Sequence, residues 1–354
     1  MITRSTMSKA SLMKPFNKSI PLSKNTLLSE AALSPFVRRF VKHVQNTVHK
    51  FSLWQKGDSF VVCVSGGADS VCLLDMLFLL SKKYAFTLSL AHVNYHLRGA
   101  SSLCDEIYVQ TLAKKYKLPC FILSHPTNKN ASEETLRDIR YSFFETVRAQ
   151  TKSTHIAIAH NQDDQTETLL LRLLRGAGLS GLSAMRPKNN FLIRPLIEMS
   201  RADILLYLRE RHITFHQDRS NADPRYMRNR IRHTLIPYLE KHFQPQTRSL
   251  LAETALSLGD DYVFLEQLAH QKIKKQLSLH TLYSRTMLLK LPQALLTQTL
   301  RETLRPFCDG KNPEKGIINE IMKTLKSHKN KPQTITFREL KFVCKGDTVR
   351  LLHL

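Results

Sequence analysis

Short apolar segments alternate with longer segments of helical spacing between about residue 58 and residue 180. Four segments have the length and composition of buried strands, namely 60–64 (FVVCV), 87–93 (TLSLAHV), 120–125 (CFILSH) and 155–160 (HIAIAH). The segments between them that predict helices are 70–82, 103–117 and 132–150. This alternation predicts an α/β fold built on a doubly wound parallel sheet, which binds ligands beyond the carboxyl ends of its strands.

The pattern becomes mainly helical after the fourth strand. Predicted helices follow at 163–176, at 198–212 with Ser200 as the cap, and at 228–243 with a break near Pro237. Residues 246–328 continue as helix, whereas 334–354 alternate as strands around a Gly-Asp turn. We therefore predict a disordered extension over 1–35, the α/β domain over 36–242, and a smaller, mainly helical domain with a C-terminal β-hairpin over 243–354.

The chain carries a large excess of positive charge. It has 53 Lys and Arg against 29 Asp and Glu, a net charge of +24 that is spread along its 354 residues. Such a surface attracts polyanions and releases their counterions, which favours a nucleic-acid partner over a basic surface that serves solubility alone. No apolar segment is long enough to span a bilayer, so no membrane partner is expected.

The six cysteines show neither a CxxC pair nor the spacing of zinc ligands. This usage predicts a reducing compartment, the cytoplasm, and argues against cysteine chemistry. The first thirty residues are rich in Ser and Lys and contain no acid before Glu30. A transit peptide, a disordered tail and a start codon upstream of the true one all remain open for this segment, and we expect the tail.

A glycine-rich hexapeptide separates the first predicted strand from the helix after it. In SGGADS (65–70), Gly66 and Gly67 allow backbone N–H groups to approach a ligand closely, while Ser65 and Ser70 supply hydroxyl groups. The helix start adds its dipole and unpaired amides. The segment is neither a Walker A loop nor the dinucleotide motif G-x-G-x-x-G. A phosphate-binding loop is predicted, with an ordinary turn as the alternative.

Asp69 lies inside this loop, where its charge would repel bare phosphate. The carboxylate makes chemical sense if it holds a Mg²⁺ ion that bridges phosphates, or if it takes a proton from a nucleophile. Asp163 follows the fourth strand, and a doubly wound order brings it to the same edge of the sheet as Asp69. The two carboxylates predict a Mg²⁺–nucleotide site, although acids also suit the start of any helix.

Further polar residues follow the strands. His92 and Asn94 end the second strand and His160 ends the fourth, so the carboxyl edge of the sheet gathers them; loop support is the alternative. The segment 225–232 (RYMRNRIR) places Arg228 and Arg232 on one helix face, where they suit RNA phosphates. A solvated basic face is the alternative for these arginines.

Several segments together resemble the tRNA(Ile)-lysidine synthase family of the PP-loop ATP pyrophosphatase superfamily. The resemblance covers roughly residues 36–240 and rests on SGGADS, HVNYHLR (92–98), EETLRDIRY (133–141), AHNQDDQTET (159–168), RGAGLSGL (175–182), IRPL (193–196) and RNRIR (228–232). Many members have His where this chain has Asn161 and Tyr95, which leaves the roles of these two positions open.

The resemblance implies an ATP-dependent carbon–nitrogen ligase. Its expected partners are ATP, Mg²⁺, free L-lysine and an isoleucine tRNA with a CAU anticodon, and it is compatible with a homodimer. The wobble cytidine would be adenylated at O2, and lysine would then displace AMP at C2 to give lysidine.

The same resemblance implies roles for individual residues. The catalytic residues are Asp69, Asp163, His160 and Arg137. The ATP-binding residues are Ser65, Gly66, Gly67, Ala68, Asp69, Ser70, His92 and Asn94, with Mg²⁺ on Asp69 and Asp163. Lysine would bind Glu167 and Asp164, and tRNA would bind Arg98, Arg175, Arg225, Arg228, Arg230 and Arg232.

Other functions stay open on the sequence. A tRNA thiolation enzyme of the same superfamily would need reactive cysteines, whose spacing is missing here. An amidating synthetase would need a source of ammonia, and no part of the second half suits a glutaminase. A catalytically silent tRNA-binding protein would keep the loop but would not need Asp69, His160 and Asp163.

Overall fold

The structure is a computed structural model that describes residues 33–97, 99–127, 131–216, 225–276, 282–308, 310, 312–327 and 331–354. Most of the extension predicted over 1–35, and Arg98, lie outside these residues. The chain divides into two compact units between Leu256 and Ser257, whereas the sequence predicted a boundary near 243. The helix Thr247–Gln276 runs through the division between Leu256 and Ser257, so the sequence carries no break there.

The first unit is built on a six-stranded sheet with the strand order β3-β2-β1-β4-β6-β5. Neighbours pair in parallel except for the short antiparallel pair β5–β6. The strands are β1 Ser59–Cys63, β2 Thr87–Asn94, β3 Cys120–Ser124, β4 His155–Ala157, β5 Lys188–Asn189 and β6 Leu192–Ile193. The predicted doubly wound α/β fold is confirmed, and β1 and β4 are neighbours at its centre.

Helices cover this sheet and extend the unit. They are α1 Pro35–Phe51, α2 Ala68–Tyr84, α3 Ala100–Tyr116, α4 Glu133–Thr151, α5 Gln162–Leu174, α6 Leu179–Leu182, α7 Arg201–Glu210, α8 Met227–Arg230, α9 Ile236–His242 and α10 Thr247–Gln276. Within the described part of the chain, we find no helix long and apolar enough to cross a membrane.

The buried strands explain why the hydrophobic pattern was informative. Phe60, Val61 and Val62 of β1 are fully buried, as expected for a central strand that helices cover on both faces. β4 ends at Ala157, earlier than its apolar run suggested. The chain then leaves the sheet, so that Asn161 can cap α5.

A π-helical turn, Ile231–Leu235, joins α8 to α9. The amide of Ile236 bonds the carbonyl of Ile231, and these two side chains share one buried cluster with Leu170. Pro237 follows and has no N–H to continue an α-helical ladder, which accounts for the break predicted there. The extra residue in this turn changes which face α9 presents to its surroundings.

The second unit combines helices with an antiparallel sheet of order β7-β10-β9-β8. Its elements are β7 Leu282–Ser284, α11 Arg285–Leu289, α12 Gln293–Leu304, a 3₁₀ turn Arg305–Cys308, α13 Lys315–Lys326, β8 Gln333–Phe337, β9 Leu340–Lys345 and β10 Thr348–His353. The expected hairpin is present as β9–β10, but two further strands flank it. The turn between β8 and β9 uses Arg338 at φ 52° rather than a glycine, so its sequence gave no turn signal.

Candidate active site

The loop between β1 and α2 is an open, anion-receptive turn. Gly66 adopts φ +92°, which favours glycine, and Gly67 precedes α2 without any side-chain cap on the helix amides. Ser70 closes the turn, because its hydroxyl accepts from the Ser65 amide at 3.1 Å and donates to the Gly67 carbonyl at 2.9 Å. The uncapped amides and helix dipole suit a phosphate group, whose binding here stays a prediction.

A separate set of residues holds this loop from the side of α3. The His216 amide donates to the Gly66 carbonyl at 2.9 Å, and the His216 ring lies 2.7 Å from Asp105. Tyr108 stacks on that ring with centroids 4.5 Å apart and bonds the Thr214 carbonyl. This clamp could not be predicted from the sequence, because His216 is more than a hundred positions from its partners on α3 and no local pattern connects them.

Asp69 lies in the first turn of α2 and has two polar partners. Asn161 donates from Nδ2 to Asp69 Oδ1 at 3.0 Å, and Arg201, the first residue of α7, forms an ion pair with Asp69 Oδ2. The Asp69 side chain keeps 29% of its surface exposed. Asn161 therefore gains a definite role: it caps α5 through Asp164 and also orients Asp69.

Asp163 lies near Asp69 through a shared neighbour. One Asp163 oxygen accepts the Arg201 amide at 2.9 Å, and the other pairs with Arg248 of α10. Arg248 also bonds Glu240 of α9 at 3.0 Å. The adjacency of β1 and β4 brings the two predicted carboxylates to one edge of the sheet, although Asp163 is the more enclosed of the two, with 12% of its side chain exposed.

The donor set fits a magnesium ion that is shared with a nucleotide. Among the described residues, no group of three or more His, Cys, Asp or Glu could hold a metal alone. Mg²⁺ in nucleotide sites uses one or two carboxylates, with phosphates and water completing its octahedron. Asp69 beside the loop meets that requirement, whereas Asp163 would have to share its oxygens with Arg201 and Arg248.

His160 lies within a group of guanidinium groups. Arg194 Nε donates to His160 Nδ1 at 2.9 Å, so the ring proton of a neutral His160 lies on Nε2. Burial, followed by the charges of Arg194, Arg228, Arg137 and Arg140, lowers the pKa of His160 well below its usual value. His160 is therefore a neutral hydrogen-bond donor rather than a cation at pH 7.

Arg194 is 5% exposed, and its hydrogen bonds go to neutral groups: His160, Tyr141 and the Arg186 carbonyl. Burial lowers the pKa of Arg194 to about 10, so it remains charged. Arg137 lies on the exposed side of α4 and covers the Tyr141 ring at 4.9 Å. This positive region suits a phosphate or adenylate. Arg194 lies in the IRPL segment, but this role could not be predicted from the sequence, since nothing local marks a buried arginine.

The two predicted lysine-binding acids pair with two predicted tRNA-binding arginines. Glu167 is fully buried and accepts from Arg228 at 2.8 Å and from Arg232. Asp164 accepts from Arg228 at 2.9 Å. Burial is the main reason why the pKa of Asp164 rises to about 6, against the lowering effect of Arg228. Arg228 and Arg232 do share a helix face, as predicted, but that face points toward α5.

The remaining predicted residues have different surroundings. His92 and Asn94 are buried: His92 Nδ1 donates to the Val64 carbonyl at 2.8 Å, and Asn94 donates to Glu106 at 2.8 Å. Both support the chain around the loop, and their direct contact with ATP stays a prediction. The Tyr95 hydroxyl donates to a carbonyl of α4. The predicted tRNA-binding arginines that lie exposed are Arg175, Arg225 and Arg230.

The sequence of this chain is similar to those of several curated enzymes. A tRNA(Ile)-lysidine synthase from Geobacter sulfurreducens is 42% identical over 251 residues, which cover 69% of this chain and 53% of that protein. The enzyme of the same name from Clostridium acetobutylicum is 38% identical, over 66% of this chain and 52% of its own length. The chain spans about half the length of the curated relatives it matches.

Similarity to solved structures concerns the fold. The U34-tRNA thiolase NcsA from Methanococcus maripaludis, solved with its [4Fe-4S] cluster, superposes with a TM-score of 0.51 at 18% identity, covering 63% of this chain and 80% of that one. The PP-loop domain family matches residues 36–239, which include both carboxylates and the phosphate-binding loop. Since that match covers more than half of the chain, the protein belongs to the PP-loop domain family.

Proposed function

We propose that this protein joins lysine to C2 of the wobble cytidine in an isoleucine tRNA with a CAU anticodon, using ATP, in the cytoplasm. The observation that carries the proposal is the meeting of Asp69, the uncapped start of α2 and the His160–Arg194 pair at the carboxyl edge of β1 and β4. Ligands of doubly wound sheets bind at this edge. The names of the relatives in Geobacter and Clostridium point to the same reaction.

In the first step, cytosine O2 attacks the α-phosphorus of ATP. The O2–phosphorus bond forms, the bond between the α-phosphorus and its bridging oxygen breaks, and pyrophosphate leaves. The loop amides at Gly66 and Gly67 bind the departing phosphates, and Asp69 would hold Mg²⁺, which neutralises their charge. His160 Nε2–H donates to an α-phosphate oxygen, and Arg194 fixes that tautomer.

In the second step, the ε-amine of lysine attacks C2 of the adenylated cytidine. The C2–O2 bond breaks, AMP leaves and the new nitrogen loses a proton. Arg137, on the exposed side of α4, faces the growing negative charge of the AMP. Asp164 has a pKa of about 6, which suits a group that binds an ammonium at neutral pH and accepts a proton as the amine reacts.

The ion pairs at Glu167 suggest how lysine and RNA share one region. Arg228 and Arg232 neutralise Glu167 and Asp164 in the protein alone. RNA phosphates offer these guanidinium groups a second set of anions. When the arginines turn toward RNA, the two acids need another cation, and the lysine ammonium supplies it. The proposed tRNA and lysine roles of these residues are therefore linked by charge.

Thiolation is the second candidate, and the cysteines disfavour it. Burial raises the pKa of Cys63 and Cys72 well above the usual value, and raises the pKa of Cys120 to about 12. Thiols in this state are poor nucleophiles and poor ligands of iron–sulfur clusters. The likeness to the thiolase NcsA concerns the fold and leaves this chemical argument unchanged.

Mass spectrometry of the product nucleoside tests the proposal. The protein is incubated with ATP, Mg²⁺, L-lysine and unmodified isoleucine tRNA, and the wobble nucleoside is then analysed. We expect cytidine to gain the mass of lysine less one water, with no gain when lysine is omitted or Asp69 is replaced by Asn. In a parallel reaction with a sulfide donor in place of lysine, gain of sulfur would instead support thiolation. An unchanged nucleoside in the reaction with lysine would contradict the proposal.

A further inference from the structure

Three aromatic rings form a cluster on the outer side of α9. The Tyr238 ring lies 4.5 Å from the His242 ring and 6.1 Å from the Phe243 ring, measured between centroids. Tyr238 is 54% exposed and Phe243 is 73% exposed, the highest value among the large hydrophobic side chains described. Isolated surface rings are ordinary, but adjoining rings this exposed form a patch that usually has a partner. We call Tyr238, His242 and Phe243 the α9 ring cluster.

The opposite side of the same segment is fixed to the candidate active site. Ile231 and Ile236 pack against Leu170 of α5. Glu240 bonds Arg248, which in turn pairs with Asp163. The buried face therefore points toward the catalytic edge while the rings face outward.

The α9 ring cluster lies close in sequence to a residue of the candidate active site. Arg232, which contacts Glu167, precedes Tyr238 by less than two helical turns, so about 9 Å of helical rise separates the two positions. A strand of nucleic acid whose reacting base lies in the active site would pass the α9 ring cluster within a few nucleotides.

Charge indicates what kind of partner fits. Between residues 225 and 243 the sequence contains five Arg and Lys residues, at 225, 228, 230, 232 and 241, and a single acid, Glu240. That acid is already paired with Arg248. Aromatic rings in a segment with this excess of cations suit unpaired bases, which stack on aromatic side chains while their phosphates meet the positive charge.

We propose that the α9 ring cluster is a stacking platform for unpaired bases of the RNA loop that presents the reacting cytidine. This inference rests on the proposed function and adds the surface that holds the nucleotides next to the target base. Stacking on the protein would keep the RNA loop open. The cytidine could then turn into the active site without the further free-energy cost of unstacking its neighbours.

Binding of a hairpin RNA tests the platform. The probe is a fluorescent anticodon stem–loop of the isoleucine tRNA, titrated with the full chain. We expect the double variant Tyr238→Ala/Phe243→Ala to bind about tenfold or more weakly than the wild type, with an unchanged slope of log K against log salt, because stacking releases no counterions. Phe264→Ala, which removes a ring that is 60% exposed on α10, is the matched control and should bind normally.

An abasic scan supplies the sharper readout. Removing one loop base at a time should weaken binding to the wild type at one or two positions. Removing the same bases should not lower the affinity of the double variant any further. Equal binding by the wild type and the double variant would overturn the platform while leaving the proposed function intact. Failure of the wild type itself to bind the hairpin would count against the proposed function.

Sedimentation of the RNA-free protein tests the other explanation of the exposed rings, a contact between two copies of the chain. If the wild type dimerises and the double variant is monomeric, the α9 ring cluster is a contact between two copies of the chain, and the RNA platform is wrong. We expect both proteins to sediment with the same mass.

Discussion

At the scale of single residues, the site is a set of acids matched to internal guanidinium groups. Asp69 pairs with Arg201, Asp163 with Arg248, and Glu167 with Arg228 and Arg232. Arg194 differs, because it bonds the neutral His160 ring and the Arg186 carbonyl, so its charge remains available to an incoming anion. A substitution in this region therefore removes a functional group and also leaves a partner without its counter-charge.

Asp69→Asn tests the proposed metal-binding carboxylate. The amide keeps the shape of the side chain and a bond to Asn161, but it cannot hold Mg²⁺ against the phosphates. Loss of such a preorganised charge costs several kcal/mol of the barrier, so we expect pyrophosphate release to fall at least about 100-fold. Affinity for tRNA should remain near that of the wild type. Pyrophosphate release at the wild-type rate would remove Asp69 from the mechanism.

The raised pKa of Asp164 predicts a pH dependence of lysine use. Burial raises this pKa from its usual value to about 6, so the carboxyl group is neutral below that pH and cannot pair with an ammonium. We expect the KM for lysine to rise as the pH falls through about 6, and Asp164→Asn to abolish this dependence. A midpoint near pH 4 would show that Asp164 titrates as an ordinary carboxyl group.

The raised pKa of Asp164 also affects the free energy of unfolding, to which this group contributes less as the pH rises. Because the folded pKa of Asp164 is raised, the folded protein holds this proton more tightly than the unfolded chain does. Its contribution to stability is present below about pH 4 and is lost as the pH rises through about 6. We expect Asp164→Asn to lose less stability than the wild type over that interval, measured by urea unfolding.

Arg228→Ala tests the arginine that bonds both predicted lysine-binding acids. We expect weaker tRNA binding, with the slope of log K against log salt shallower by about one, because one phosphate contact is lost. The free energy of unfolding should also fall by about 1–3 kcal/mol, since buried Glu167 loses a charged hydrogen bond.

Arg230→Ala is the matched control for this experiment. Arg230 is exposed and its guanidinium bonds the Met227 sulfur, so its removal should weaken tRNA binding without loss of stability. If Arg228→Ala left RNA affinity and salt slope unchanged but lowered stability, Arg228 would be a structural residue alone.

Residue identities could be predicted where a motif lies in one segment of sequence. The phosphate-binding loop, Asp69 and Asp163 each follow a strand, and the sheet brings them to one edge. Arg194, Arg201 and Arg248 could not be predicted, because their importance comes from partners that are distant in sequence. The pairing of Arg228 with Glu167 likewise depends on how α8 packs on α5.

At the scale of elements, the β1–loop–α2 unit is what turns the fold into a nucleotide site. The positive φ of Gly66 and the uncapped start of α2 are backbone features. His216, which bonds the Gly66 carbonyl and contacts Asp105 of α3, holds them in place. Periodicity predicted these strands and helices because central strands are buried on both faces. β8 overlaps the predicted strand region 334–354, but its turn into β9 lacks glycine and was not predicted. β7 was missed because it is a three-residue strand within a region of helical pattern.

Gly66→Ala tests the loop geometry. Its added Cβ would lie 3.6 Å from Tyr108, an ordinary contact, so the cost comes from φ +92° and should be about 1–2 kcal/mol of stability. We also expect the KM for ATP to rise, as the amides turn away from the phosphates. Gly57→Ala is the matched control, since Gly57 has φ +88° with open space around it. It should lose similar stability and keep its KM; an equal rise in KM for both would refute the loop assignment.

At the scale of the whole molecule, two compact units share a net charge of +24. The match to the PP-loop domain family ends at residue 239, inside the first unit. The second unit has a core of its own, in which Leu300, Ile321 and Phe342 take part. Distributed positive charge suits an extended polyanion such as tRNA. The affinity that such charge produces depends on the salt concentration rather than on any one residue.

If the loop at β1 brings ATP to a nucleobase, the first product to leave is pyrophosphate, and its release reports that reaction. With Mg²⁺–ATP and the isoleucine tRNA, we expect pyrophosphate in amounts that depend on the RNA, and AMP release that depends additionally on lysine. A folded preparation that binds Mg²⁺–ATP yet releases no pyrophosphate when this tRNA is added would contradict the account.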